Sequence, residues 1–118
     1  GLFGGAYGSE YEYLIPDGVI SFAVPQEFKV SQAYPNPFNS TSYISIELPH
    51  SGKVSFKLFD LRGRLIARNT ITNLPAATNR RQLSGFVNYD LSRLNSGVYL
   101  LTIEFQNQTV KRKLILVK

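Results

Sequence analysis

The stretch "SYISIEL" alternates strictly: Ile44, Ile46 and Leu48 fall on one side, Tyr43, Ser45 and Glu47 on the other. "KVSFKLF" repeats the pattern, with Val54, Phe56 and Leu58 opposite Lys53, Ser55 and Lys57. A period of two is what a half-buried strand requires, because successive side chains leave opposite faces of the pleat. "VYLLTIEF" sets Tyr99, Leu101, Ile103 and Phe105 against Val98, Leu100, Thr102 and Glu104, and "QNQT" turns it into a last strand, "VKRKLILVK", expected to run to residue 118. "FKVSQA" around Phe28 and Val30 is a further strand, and "LIARNTITN" is a weaker, more exposed one. Residues 74–85, "LPAATNRRQLSG", read as a long connection into a strand "FVNYDL", with a short helical turn expected between Asp90 and Leu94.

Turn signals separate these strands at Pro49–Gly52, Arg62-Gly63 and "SRLNSG". They recur about every 8–12 residues and no long segment has helical period, which together predict an all-β sandwich. Pro35-Asn36-Pro37 interrupts the pattern just before Tyr43. Neither proline can donate to a ladder, and each steers the residue before it away from helix. The tripeptide therefore predicts a stiff corner between strands, carrying the chain toward the opposite sheet, with Tyr34 and Phe38 covering the core edge. Residues 1–9, with four glycines, read as a linker, and residues 10–24 hold a turn at Pro16-Asp17-Gly18 between two apolar stretches. Tyr7, Tyr11 and Tyr13 do not fit a strand alternation and are candidates for docking this segment on the sandwich.

At 118 residues the chain suffices for one domain, and 43% hydrophobic residues supply a core. Without Met at position 1, the chain is expected to be part of something larger. No apolar run approaches the roughly 20 residues of a membrane span, so no membrane insertion is expected. The chain has no Cys, which removes disulfides, thiolate catalysis and zinc–thiolate sites. Net charge is +5, but the basic residues are dispersed and no nucleic-acid motif occurs, so no nucleic acid is expected as partner.

Catalytic constellations are not legible. His50 is the single histidine and sits in a turn signal, where a solvent-exposed loop residue is expected. Glu47 and Glu104 occupy polar strand positions, and Asp60 and Asp90 read as turn caps. No spacing pairs two carboxylates as glycoside hydrolysis requires, and neither a calcium-loop run nor a phosphate loop is present. No cofactor, metal ligand or catalytic residue is assigned, and the chain is expected not to be an enzyme. Asn39-Ser40-Thr41 and Asn107-Gln108-Thr109 match the glycosylation pattern, which short sequences meet by chance. Seven Tyr and eight Phe would suit a carbohydrate-binding platform, but most lie on core-facing positions.

Five stretches in order carry a resemblance: Pro35-Asn36-Pro37, Ser51-Gly52-Lys53-Val54, Asp60 with Gly63-Arg64, Ser96-Gly97-Val98-Tyr99, and the ending Lys113 to Lys118. Over roughly residues 25–118 the chain resembles the C-terminal sorting domain, type A, of type IX secretion cargo, which is related to the immunoglobulin-like domain of flagellar hook-capping proteins. The resemblance implies an immunoglobulin-like β-sandwich of about seven antiparallel strands over residues 28–118, with residues 1–27 as linker or the end of an upstream cargo region. It implies a non-catalytic signal that takes a cargo through the periplasm and across the outer membrane to the cell surface or the medium. Its implied partners are the translocon, a surface sortase that removes the domain, and the upstream cargo domain in the same chain. Carried onto this sequence, the residues read by that machinery are Pro35, Asn36, Pro37, Gly97, Tyr99, Lys113 and Lys118. Physically, Gly97 gives its turn the option of a positive φ, and the last hairpin is expected to be captured by backbone pairing and lysine contacts. The competing readings are a structural accessory domain bracing an upstream enzyme and a carbohydrate-binding module.

Overall fold

The computed structural model describes residues 24–118. The linker, the Pro16-Asp17-Gly18 turn and the docking of Tyr7, Tyr11 and Tyr13 expected from the sequence lie outside the described residues. Seven strands form two antiparallel sheets. They are β1 (Lys29–Val30), β2 (Tyr43–Glu47), β3 (Gly52–Asp60), β4 (Leu65–Leu74), β5 (Thr78–Gln82), β6 (Gly97–Phe105) and β7 (Gln108–Leu116). One sheet has the order β1-β2-β5 and the other β4-β3-β6-β7. This is the sandwich that the alternation and the turn spacing predict.

The alternating faces fall as the pattern requires. Ile44 and Ile46 from the smaller sheet meet Val54, Phe56 and Leu58 of β3 and Leu101, Ile103 and Phe105 of β6, all buried. Packing two apolar faces in this way leaves about 10 Å between sheets, filled by interdigitating side chains. β4 forms the far edge of the larger sheet, and its exposed residues alternate with half-buried ones. The β3–β4 turn is built by Asp60, whose Oδ1 accepts the backbone N–H of Arg62 and of Arg64, each at 2.9 Å. Gly63 completes it at φ +81°, in the left-handed region that a side chain disfavours.

Residues 74–88 depart from the expectation. The polar segment Thr78–Gln82 is a strand, paired with β2 at all five positions. Its side chains give no apolar alternation, because it is the outer strand of its sheet and is held by backbone pairing. Arg80 adds a guanidinium 4.3 Å from the centre of the Tyr43 ring. The expected strand "FVNYDL" is instead the end of a helix, α1 (Leu83–Val87), followed by a turn. Leu83, Phe86 and Val87 stand at helical spacing and all three are buried. Phe86 stacks on Phe56 with centroids 5.1 Å apart, so α1 closes the sandwich between β4 and β5. Asn88 ends α1 in the left-handed conformation, at φ 52°. Asp90 does not end a strand. It caps the 3-10 turn Leu91–Arg93 by accepting from the Ser92 N–H at 3.0 Å and the Ser92 hydroxyl at 2.6 Å.

The proline corner also differs from expectation. The strands it joins, β1 and β2, are neighbours in one sheet. Tyr34 is 75% exposed and covers no core, whereas Phe38 is buried. The corner leaves its own sheet only to touch the edge of the other, and then returns.

Candidate functional site: the terminal hairpin and its cap

β6 and β7 form a hairpin whose register holds from Gly97↔Leu116 to Phe105↔Gln108. β7 is an edge strand, so its odd-numbered residues turn their N–H and C=O groups away from β6. Over the last third of the strand these groups are taken. The Asn36 side-chain amide donates to the Lys113 carbonyl at 2.9 Å, and its Oδ1 accepts the Ile115 N–H at 2.8 Å. Phe38 continues the pairing: its N–H donates to the Ile115 carbonyl and its carbonyl accepts the Val117 N–H, both at 2.9 Å. One side chain and one backbone unit thus replace a short parallel strand. Pro35 and Pro37 lack N–H groups, so the corner offers no donors of its own on either side of Asn36. Ser42, fully buried, donates its hydroxyl to the Pro35 carbonyl at 2.7 Å and fixes the corner from behind.

A second strap holds the other half of β7. The Arg112 side chain crosses to β1 and donates to the carbonyls of Val30 at 2.7 Å and Ser31 at 3.1 Å. β1 therefore lies alongside β7 although the two belong to different sheets. The chain end is tied as well. The Lys118 N–H donates to the Ser96 hydroxyl at 2.9 Å, and its ammonium donates to the Ser92 carbonyl.

The seven residues singled out in the sequence divide by role. Pro35, Asn36 and Pro37 form the cap on β7, and Lys118 tethers the end. Tyr99 is buried on the inner face, and its hydroxyl donates to the Asn95 carbonyl at 2.6 Å. A tyrosine near the start of this strand, bonded back to the preceding corner, is a stabilising device of immunoglobulin-like sandwiches. Gly97 begins β6 without a positive φ, contrary to the expectation; among the described residues only Gly63, Asn88 and Gln106 have one. A methyl group on Gly97 would meet Tyr99 at ordinary contact distance, 3.8 Å. Lys113 is exposed on the outer face of the sheet.

That outer face is what the sequence reading missed. Phe59, Val98 and Leu100 line a groove of about 530 Å³ there, bordered by Lys111 and Lys113, with Leu61 at its end and 76% exposed. Along the strands toward Phe105, the same face turns polar through Ser55, Lys57, Thr102 and Glu104. The sequence does carry the signal. β6 is apolar on both faces from Val98 to Leu101 and on one face only thereafter. Among the described residues the ion pairs are Lys29–Glu27 and Arg64–Asp60, and neither includes Lys111 or Lys113 at the border of the groove.

Nothing in this geometry gathers reactive groups. His50 is exposed, packs on the Phe105 ring at 5.3 Å and faces Gln106. Among the described residues no three His, Cys, Asp or Glu side chains cluster as metal ligands, and no helix is long and apolar enough to cross a membrane. The carboxyl of Asp60 is held below the usual aspartate range, mainly by the backbone N–H of Arg64 and also by that of Arg62 and the Arg64 guanidinium. Asp90 is likewise lowered, first by the Ser92 hydroxyl and then by the Ser92 N–H. Both carboxylates serve turns.

The chain is similar to a known structure and a known family. It superposes on the crystal structure of dimeric latent PorU from Porphyromonas gingivalis with a TM-score of 0.53 and 16% identity, over 84% of this chain and 10% of that one. At that identity the likeness concerns the fold, and this chain spans about a tenth of the PorU chain. Comparison with curated proteins gave no match. The model of the family described as "Secretion system C-terminal sorting domain" matches residues 32–118, from the start of the corner to the last residue. Domains of this family are the C-terminal signals of type IX secretion, which mark cargo for export across the outer membrane to the cell surface or beyond it, and the family is in general non-catalytic. With nearly three-quarters of its length inside that match, and with the β-sandwich to go with it, this chain belongs to the secretion system C-terminal sorting domain family.

Proposed function

We propose that the secretion machinery reads this domain through side chains on the outer face of the β6–β7 hairpin, with Lys113 as the central contact. Residues 28–118 form the signal in this reading, and the cargo it serves lies upstream in the same chain. The domain performs no reaction; the surface sortase that removes it is the partner, not an activity of this chain. The observation that carries the reading is the division of labour at Lys113. Its carbonyl is occupied by Asn36, while its side chain is exposed at the rim of the groove beside Val98 and Leu100.

This placement argues against capture of residues 113–117 by backbone pairing, because Asn36 and Phe38 already fill that edge. Strand addition there requires prior release of the corner. Side-chain reading needs no unfolding: a partner with an acidic group beside an apolar one would match Lys111 and Lys113 beside Val98 and Leu100. Pro35, Asn36, Pro37, Tyr99 and Lys118 act one step back, by holding the hairpin rigid.

The test is export of a reporter cargo fused ahead of residues 1–118. Lys111→Glu/Lys113→Glu reverses the rim charge without touching the core, so the domain stays folded and export falls. Undiminished export of that double variant overturns the reading.

A further inference from the structure

Among the described residues the exposed large apolar side chains are Val24, Tyr34, Leu61, Leu65 and Val117. A single exposed leucine is ordinary, but three of these five stand at one end of the sandwich. β3 ends at Asp60 and β4 begins at Leu65. The register sets Asp60 opposite Tyr99 and Gly97 opposite Leu116, so the β3–β4 turn and Val117 share that end. Within the turn, Leu61 and Leu65 flank Arg62-Gly63-Arg64, and all five residues are exposed.

The turn is ordered by its own bonds. Asp60 Oδ1 holds the N–H groups of Arg62 and Arg64, Oδ2 accepts the Arg64 Nε–H at 3.1 Å, and the Gly63 N–H donates to the Asp60 carbonyl at 3.0 Å. A tip fixed in advance loses little conformational freedom on docking. On one side of it runs the apolar groove lined by Leu61 and Val98. On the other side lies a polar cavity of about 300 Å³, with Arg64, Arg93 and Asn95 on its wall. Its one carboxylate, Asp60, is already engaged by the turn. Two guanidinium groups around such a space suit a phosphate, which accepts from their forked N–H donors.

We propose that this end of the domain docks on an anionic phospholipid surface, with Leu61 and Leu65 entering the interfacial layer and Arg62, Arg64 and Arg93 at the lipid phosphates. A bilayer demands no shape complementarity; apolar side chains flanked by cations at one depth are enough. Protein partners favour aromatic anchors set in pockets, whereas this turn presents leucines in the open. A signal for export across the outer membrane also works beside a lipid surface. The docking does not rest on the reading given under Proposed function. It is measured on the purified chain with vesicles, and that reading is measured by export, so the two fail separately.

The chain has no tryptophan, so Leu61→Trp places one fluorophore at the tip. Lys57→Trp places one on the polar part of the outer face instead. Each full 118-residue chain is mixed with vesicles of equal parts phosphatidylcholine and phosphatidylglycerol. The Leu61→Trp emission is expected to shift to the blue and to become shielded from a soluble quencher, while that of Lys57→Trp stays as in buffer. Arg62→Glu/Leu65→Ser, added to the Leu61→Trp chain, is expected to weaken vesicle affinity by about tenfold, with the circular dichroism of the parent retained. An unshifted Leu61→Trp emission, or unchanged affinity in the added double variant, overturns the proposal. So does an equal shift from Lys57→Trp, which would mean that net positive charge adsorbs the chain in any orientation. Loss of the shift on adding inorganic phosphate at matched ionic strength also overturns it, by making a soluble phosphate the ligand.

Discussion

Asn36 reaches across 77 positions of sequence to donate its side-chain amide to the carbonyl of Lys113. This bond, together with the acceptance of the Ile115 N–H by the same amide, turns an edge strand into a closed one. Replacing Asn36 by Ala leaves the Ile115 N–H without its partner at a part-buried bond and releases the exposed Lys113 carbonyl to solvent. The expected loss is about 1–3 kcal/mol, the usual cost of stranding such groups. Urea unfolding measures the loss, and faster amide exchange at Ile115 and Val117 locates it at the edge. Unchanged exchange there would remove the capping role.

Tyr99→Phe separates support from recognition. The ring stays buried and only the bond to the Asn95 carbonyl is lost. Stability is expected to fall by about 0.5–1.5 kcal/mol, with no export defect beyond what that instability explains. An export defect in a variant of full stability would make the hydroxyl a recognition group.

Two of the three glycines of the resemblance, Gly63 and Gly97, answer differently to a methyl group. Gly63→Ala forces a side chain into the left-handed region at φ +81° and is expected to cost about 1–2 kcal/mol. Gly97→Ala meets ordinary contacts and is expected to stay within about 0.5 kcal/mol of the parent. Paired urea titrations check the contrast. Equal effects would mean that the β3–β4 turn relaxes at no cost.

These positions also show what could be read in advance. The alternation in "SYISIEL", "KVSFKLF" and "VYLLTIEF" located β2, β3 and β6 and their buried faces, because burying one face of a strand imposes period two. β5 escaped because Thr78-Asn79-Arg80-Arg81-Gln82 buries little and is held by backbone pairing, which leaves no mark in the side chains. α1 escaped because five residues are too few to display a period, although Leu83, Phe86 and Val87 have the spacing. At the candidate site, Pro35-Asn36-Pro37 marked a corner but not its target, since contacts across 77 positions have no local signature. Tyr99 stood out in the sequence as a recognition residue, while its geometry is that of a support.

Acid should weaken the domain through Asp60 and Asp90. Both folded-state pKa values lie below their unfolded values, so each carboxylate contributes stability that is fully present above the ordinary aspartate range, near 3.9. That contribution disappears as pH falls through the lower, folded-state values. Thermal unfolding between neutral pH and strong acid should therefore show a decline beginning at the ordinary aspartate pKa. Asp60→Asn should start lower at neutral pH and decline less. An identical acid profile in that variant would place the effect elsewhere.

The most direct measurement compares two lysines of one sheet face by export of a fused reporter. Lys113 borders the apolar groove of the terminal hairpin, while Lys57 stands on β3 in the polar part of the same face. With both variants equally folded, Lys113→Glu is expected to reduce export strongly and Lys57→Glu to leave it near the parent level. Equal export from the two variants would contradict a signal carried by the outer face of the last hairpin.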